Sequence, residues 1–274
     1  MVDKRLTPAR ADLAASHLKG QVDAPRYVDG YIQDVAIGRA SLRAAPSHDA
    51  PQDSELLYGE RVEVYDISDD GWAWVQASSD QYVGYVRVEA LDDVDAATLR
   101  VSALMAPVFK AADLKSPVVD FLPMNAKAAV VSRQGDYIEI GGGHFVHQRH
   151  FLLETEKDFV AITQRFVGVP YVWGGKTAAG LDCSGLIQTA LQAVGKAAPR
   201  DTDMMEKALG TPIKIVDVRR GDLVFWKGHM GVMLDSENLL HANAFHMMVT
   251  AEPLRDALAR IEPLAGPVTS VKRL

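Results

Sequence analysis

The stretch "GGKTAAGLDCSGLIQTALQAVG", residues 174–195, holds the only cysteine of a 274-residue chain. Cys183 follows a glycine-rich segment and an acidic residue and opens a run with helical spacing. Leu186, Ile187, Ala190, Leu191 and Val194 form the apolar side of that helix, and Gly195 stops it. A lone cysteine is most often a small buried hydrophobe. At a helix N-terminus, however, the unpaired N–H groups and the dipole favour thiolate, the form of sulfur that attacks. The placement therefore predicts a lowered thiol pKa and makes Cys183 a candidate nucleophile.

A nucleophile needs a base. His229 opens the strand-like "HMGVML" and His241 lies in "LLHANA", with the turn residues of "LDSEN" between them. These two segments predict a hairpin. A turn centred near Asp235 sets the two histidines opposite each other, with Cβ atoms roughly 5 Å apart. One then serves as base while the other orients its imidazole. His246 is a rival for the orienting position.

Around this helix and hairpin, "EKDFVAITQRFVGVP" reads as a helix with Phe159, Ile162, Phe166 and Val167 on one face. Helices followed by antiparallel strands make residues 154–274 an α+β domain. Upstream the pattern changes. "ERVEVYDI", "GWAWVQA" and "QYVGYVRV" alternate with period two, as half-buried strands do. The stretch beginning "SLRAAPSHDA" is paralleled in layout by the one beginning "PVFKAADLKS". Two small all-β barrels are expected, at 37–95 and 96–153, the second degenerate. Residues 1–36 read as an N-terminal arm, partly helical through "PARADLAASHLKG".

Bulk properties narrow the partners. Hydrophobic residues make up 48% and charged residues 24% of the chain, which excludes a disordered protein. A net charge of −7 with both signs interspersed argues against nucleic acid or an anionic membrane as partner. One cysteine cannot form an internal disulfide. The first twenty residues lack an apolar leader pattern, and no window approaches eighteen apolar residues, so a cytoplasmic location is expected. The triplet of His144, His147 and His150 has no carboxylate or cysteine beside it and is not read as a metal site. No metal and no cofactor are expected.

The segments "LLYGERVEVY", "GWAWV" and "YVGYV" resemble bacterial SH3-like (SH3b) modules. "VPYVWGGKTAAGLDCSGLIQTAL", "APRDTDMM", "VRRGDLVFW" and "GHMGVMLDSENLLHA" resemble, in order and spacing, the successive motifs of the NlpC/P60 family of papain-like cysteine peptidases. The resemblance implies a papain-like α+β catalytic domain preceded by two SH3-like barrels. It also implies a triad of Cys183 as nucleophile, His229 as base and His241 as orienting residue, with Tyr171 helping to form the oxyanion site. The combination is most similar to γ-D-glutamyl-L-diamino acid endopeptidases, which act on murein peptides with a free N-terminal L-Ala. For such a substrate, Tyr58, Asp182 and Ser184 are implied partners of the ammonium, Trp173 a wall of the groove, and Thr202 a partner of the D-Glu carboxylate. Arg200 is equally a candidate substrate contact and a structural residue holding the loop around "PRDTD". A related thiol amidase or acyltransferase, and a non-catalytic binder of wall peptides, are the alternatives.

Overall fold

Alternation in "ERVEVYDI" puts Val62 and Val64 fully inside and gives the strand Arg61–Ile67. In this computed structural model, residues 3–93, 97–151 and 157–274 are described. The expected barrel and domain limits at 95/96 and 153/154 lie outside the described residues. The chain divides into two units, Met1–Leu152 and Leu153–Leu274.

In the first unit, a seven-stranded sheet runs in the order Leu91–Asp92, Tyr31–Val35, Arg61–Ile67, Trp72–Ala77, Val83–Arg87, Arg39–Arg43, Gln52–Leu57. The strand Trp72–Ala77 is buried on both faces. Its second face is covered by the N-terminal segment, where Leu13 and Ala15 pack with Tyr65 and Trp74. The Arg10 guanidinium lies 4.8 Å from the Trp74 ring centre and pairs with Asp66.

The helical expectation for "PARADLAASHLKG" is therefore corrected. Ala9–Arg10 and Leu13–Ala15 are short antiparallel strands, and only Ser16–Leu18 turns as a 3-10 helix. Local propensity favoured a helix, but burying Leu13, Ala14 and Ala15 against the barrel outweighs it. The segment expected as an arm also contributes Tyr31–Val35 to the sheet itself, paired with Arg61–Ile67.

A five-stranded sheet follows, ordered Val118–Pro123, Met105–Phe109, Phe145–His147, Tyr137–Glu139, Ser132–Gln134. Its first hairpin repeats that of the earlier sheet. Arg39 opposes Leu57 and Arg43 opposes Gln52; Met105 opposes Pro123 and Phe109 opposes Val118, each position displaced by 66 residues. The register shift falls at the same place in both, between Leu42 and Arg43 and between Val108 and Phe109.

Among its described residues the second unit has four α-helices: α1 (Phe159–Gln164), α2 (Cys183–Ala193), α3 (Thr202–Ala208) and α4 (Leu254–Ala265). Asp158 caps α1 by accepting from the amides of Val160 and Ala161. Phe159, Ile162 and Phe166 are buried as expected, but α1 ends at Gln164 and Val167 is 55% exposed. The sheet has six strands in the order Thr211–Pro212, Ser270–Arg273, Leu223–Trp226, His229–Met233, Asn238–Asn243, Met248–Pro253. Every pair in it is antiparallel. Helix α2 packs on the strands that carry His229 and His241, and α4 packs on the last two strands. This is an α+β unit with its cysteine helix laid across its histidine hairpin. Among the described residues no helix is long and apolar enough to cross a membrane.

Candidate active site

The glycines of the opening stretch are explained by close backbone approach. A Cβ on Gly185 would lie 2.0 Å from the Gly175 carbonyl oxygen, and one on Gly175 would lie 2.3 Å from that of Gly180. The loop can therefore rest directly on the first turn of α2. Asp182 holds that junction as the N-cap. Its Oδ1 accepts from the Gly185 amide at 2.6 Å and its Oδ2 from the Gly174 amide at 2.9 Å.

Arg200, 1% exposed, completes the clamp. It donates to Asp182 Oδ1 at 3.0 Å and Oδ2 at 2.6 Å, a bidentate pair, and to the Ser184 hydroxyl at 2.9 Å. Ser184 in turn donates to Asp182 Oδ1 at 3.2 Å. Arg200 is thus the buried counter-ion that lets an aspartate sit beside Cys183.

Cys183 is 7% exposed. Its sulfur lies 3.7 Å from the Thr202 hydroxyl, at the start of α3, and meets the backbone N–H of Met230. The expectation of a lowered thiol pKa is corrected. Burial, then the Asp182 charge, push the thiol up to about 11, against the smaller pull of Thr202, Met230 and Arg200. Desolvation of a nearly enclosed thiolate outweighs the helix terminus. The resting sulfur is a thiol, and its proton must be removed by a base.

His229 and His241 meet as required, through a different register. Val232 opposes Leu240 and Met233 opposes Leu239. Carried along the strands, this register sets His229 against Asn243, with His241 its diagonal neighbour on the same face. The turn is thus centred one residue later than expected. Diagonal neighbours remain within reach of aromatic side chains, and His229 Nε2 lies 2.8 Å from His241 Nδ1. The other nitrogen of His241 lies 2.7 Å from Glu252 Oε1, and the Arg260 guanidinium pairs with that same oxygen. Burial pushes His229 down to about 4, helped by the Arg260 charge. It pushes His241 down to about 2, helped by the charges of His229 and Arg260. Both rings are neutral at neutral pH. The sulfur's backbone donor, Met230, is the residue after His229, and a neutral imidazole is a base ready to accept a proton.

Tyr171 is held by its amide to the Met247 carbonyl at 2.9 Å and bridges Leu181, two residues before the cysteine. Burial and the charges of Cys183 and Asp182 raise its pKa, so the phenol keeps its proton as a donor. The amide of Cys183 belongs to the first turn of α2, where N–H groups have no partner within the helix.

Trp173 is 65% exposed, which rules out core packing and leaves it on the loop surface before the nucleophile. The hydroxyl of Thr202, a residue expected to meet a substrate carboxylate, lies 3.7 Å from the sulfur. Tyr58 lies in the first unit, where its hydroxyl donates to the Ile140 carbonyl at 3.3 Å. His246 bonds Asn243 Oδ1 through its ring nitrogen at 3.0 Å and is not the partner of His229. Among the described residues, His241, His246 and Glu252 bring possible metal-ligand atoms within 4.8 Å of one another. Arg260 already supplies a cation to Glu252 there.

Residues 42–91 match the family model of the bacterial dipeptidyl-peptidase Sh3 domain, and residues 168–260 that of the NlpC/P60 family. Dipeptidyl-peptidase 6 of Lysinibacillus sphaericus is 26% identical over 234 residues, covering 74% of this chain and 84% of the relative. Gamma-D-glutamyl-L-lysine dipeptidyl-peptidase of Bacillus subtilis (strain 168) is 30% identical over 129 residues, 41% of this chain and 43% of the relative. The chain thus spans less than half of the second relative's length. An NlpC/P60 family protein from Bacillus cereus ATCC 10987 shares the fold with a TM-score of 0.74 at 17% identity, covering 89% of this chain and 99% of that one.

Proposed function

The chain carries an NlpC/P60 domain behind a bacterial SH3 domain, and from that premise we propose that it is a cysteine peptidase. Its substrate is a murein peptide with a free N-terminal L-Ala, cut between γ-D-Glu and the following diamino acid, diaminopimelate or lysine. The observation that carries the reading is the His229–His241 pair on a hairpin against which the Asp182-capped cysteine helix packs. The name of the Bacillus subtilis relative supports the substrate class, and both names support a peptidase. The repeated hairpin supports reading the five-stranded sheet as a second SH3-like barrel.

In this reading His229 takes the thiol proton as sulfur adds to the γ-carbonyl carbon of D-Glu. The carbonyl oxygen becomes an oxyanion, met by the Cys183 amide and the Tyr171 hydroxyl. As the C–N bond breaks, the imidazolium returns the proton to the leaving amine of the diamino acid. A thioester on Cys183 remains. Water, deprotonated by the same imidazole, adds to it, releasing L-Ala-D-Glu and restoring the thiol.

Asp182 and Ser184 are the partners assigned to the substrate ammonium. Asp182 serves in addition as the N-cap and the Arg200 counter-ion, so the loop geometry and the specificity share one carboxylate. A free ammonium is a property of turnover peptides, which supports a recycling role in the cytoplasm as part of the same proposal. The test is mass spectrometry of products from L-Ala-γ-D-Glu-meso-diaminopimelate, its lysine counterpart and their N-acetylated forms. Release of L-Ala-D-Glu from the free forms, with the acetylated forms slow, is expected. No cleavage of either free form defeats the proposal. Equal turnover of free and acetylated forms favours an amidase acting on other acyl groups.

A further inference from the structure

A chain of hydrogen bonds leaves the two histidines and ends on Glu252 and Arg260, neither of which belongs to the cysteine–histidine–histidine set. Glu252 follows from the strand pattern. His241 opposes Thr250, so Glu252, two residues on, is its diagonal neighbour on the same face. Three adjacent strands thus carry His229, His241 and Glu252 along one diagonal line. Arg260 arrives from α4, whose Leu254, Ala257 and Ile261 anchor it to the sheet.

With an ionised carboxylate and neutral rings, these contacts constrain the protons along the line. An ionised carboxylate only accepts, so the 2.7 Å contact requires a proton on His241 Nε2. A neutral imidazole carries one N–H, so His241 Nδ1 is a bare acceptor. Across the 2.8 Å contact, His229 Nε2 must then donate. The lone pair of His229 falls on Nδ1, the ring nitrogen that His241 does not occupy. Reversing the tautomer of His241 would put a proton on its Nδ1, and His229 would have to turn its lone pair inward to meet it. The base would then face the wrong way.

We propose that Glu252, held by Arg260, is the positioning residue that fixes the tautomers of His241 and, through it, of His229. Arg260 has a second part in this. Its guanidinium shares Glu252 Oε1, and its central carbon lies 4.4 Å from the Phe245 ring centre, so it is fixed from both sides. It offsets the carboxylate's charge, so Glu252 accepts the His241 proton without drawing a second one onto the ring. The buried, neutral rings described above agree with this division. The catalytic benefit rests on the reading of Cys183 and His229 as nucleophile and base; the tautomers themselves do not.

The test uses the full chain labelled with 15N-histidine, in the absence of substrate at about pH 7.5. Two-bond 15N–1H correlation spectra report which nitrogen of each ring is protonated, with His229 and His241 assigned from single His→Gln variants. Nε2–H is expected for both. In Glu252→Leu the His241 signal should become a mixture of tautomers, and His229 should follow. Glu252→Gln retains an acceptor oxygen and should restore the Nε2–H form. On the tripeptide, Glu252→Leu should lower kcat about 10- to 100-fold with KM changed less than about 2-fold. A wild-type His241 carrying Nδ1–H overturns the proposal, as do unchanged tautomers in Glu252→Leu. Should that variant fail to fold, the wild-type spectrum alone still decides the question. Because the spectra need no substrate, a chain that leaves the tripeptide uncut would count against the proposed function only.

Discussion

Replacing Arg200 by methionine should unfasten the nucleophile while leaving its chemistry nominally complete. Methionine keeps the packing of the stem and removes three donated bonds, of 3.0, 2.9 and 2.6 Å. The side chains of Arg200 and Asp182 are 1% and 10% exposed, so water cannot replace the lost partner. Removing one member of a buried pair costs about 3–5 kcal/mol, because the other charge stays behind uncompensated. For a unit of this size that corresponds to a fall of roughly 10–20 °C in the unfolding midpoint. The double variant Asp182→Asn/Arg200→Met removes both charges and should recover more than half of the loss. The same series acts on the sulfur. Asp182 raises the thiol pKa and Arg200 lowers it, so Arg200→Met should slow alkylation of Cys183 at pH 8 and Asp182→Asn should speed it. Urea unfolding followed by tryptophan fluorescence gives the first quantity, and timed iodoacetamide labelling gives the second. A single variant within about 1 kcal/mol of wild type, or a double variant no more stable than the single, would refute the reasoning.

Acid should weaken the second unit through its histidines. His229 lies at about 4 when folded against 6.5 when free. Its contribution, about 3 kcal/mol, is therefore full above pH 6.5 and lost as pH falls toward 4; His229→Gln should reduce the fall of the urea midpoint over that window, with His241, held at about 2, supplying the remainder. Gly185→Ala should be among the costliest single changes, at least about 3 kcal/mol by urea unfolding, since its Cβ would lie 2.0 Å from the Gly175 oxygen. Trp173→Ala, on a side chain 65% exposed, should change stability by less than about 0.5 kcal/mol. If Trp173 lines the substrate groove, steady-state kinetics on the tripeptide should show KM raised several-fold with kcat nearly unchanged.

The parts of this molecule that were legible in its sequence are those set by local signals. An acidic residue before an apolar helical run marked the start of the cysteine helix, and the turn residues of "LDSEN" between two alternating segments marked the histidine hairpin. The layout shared by "SLRAAPSHDA" and "PVFKAADLKS" reappears in the matched hairpins and their matched bulges. What the sequence did not yield was set by tertiary packing. Leu13 and Ala15 lie in a stretch of good helix formers, and only their packing over the second face of the strand Trp72–Ala77 explains why they are extended. The hairpin register differed because side-chain period fixes the face of a strand and leaves its alignment open by two residues. Glu252 and Arg260 carried no spacing signal, being joined to His241 only once a third strand and α4 are in place. The thiol pKa was misjudged because a helix N-terminus is visible in sequence, whereas enclosure of the sulfur is not.

The central claim is that one sulfur and one imidazole, 46 residues apart in the sequence, act as a single unit. It is tested most directly by the rate of Cys183 carboxamidomethylation by iodoacetamide at pH 7.5, followed by intact-mass spectrometry in the wild type and in His229→Gln. A fall of at least about tenfold in the variant, equivalent to roughly 1.4 kcal/mol of lost stabilisation of the thiolate, is the expected result. Equal rates in the two proteins would contradict the account.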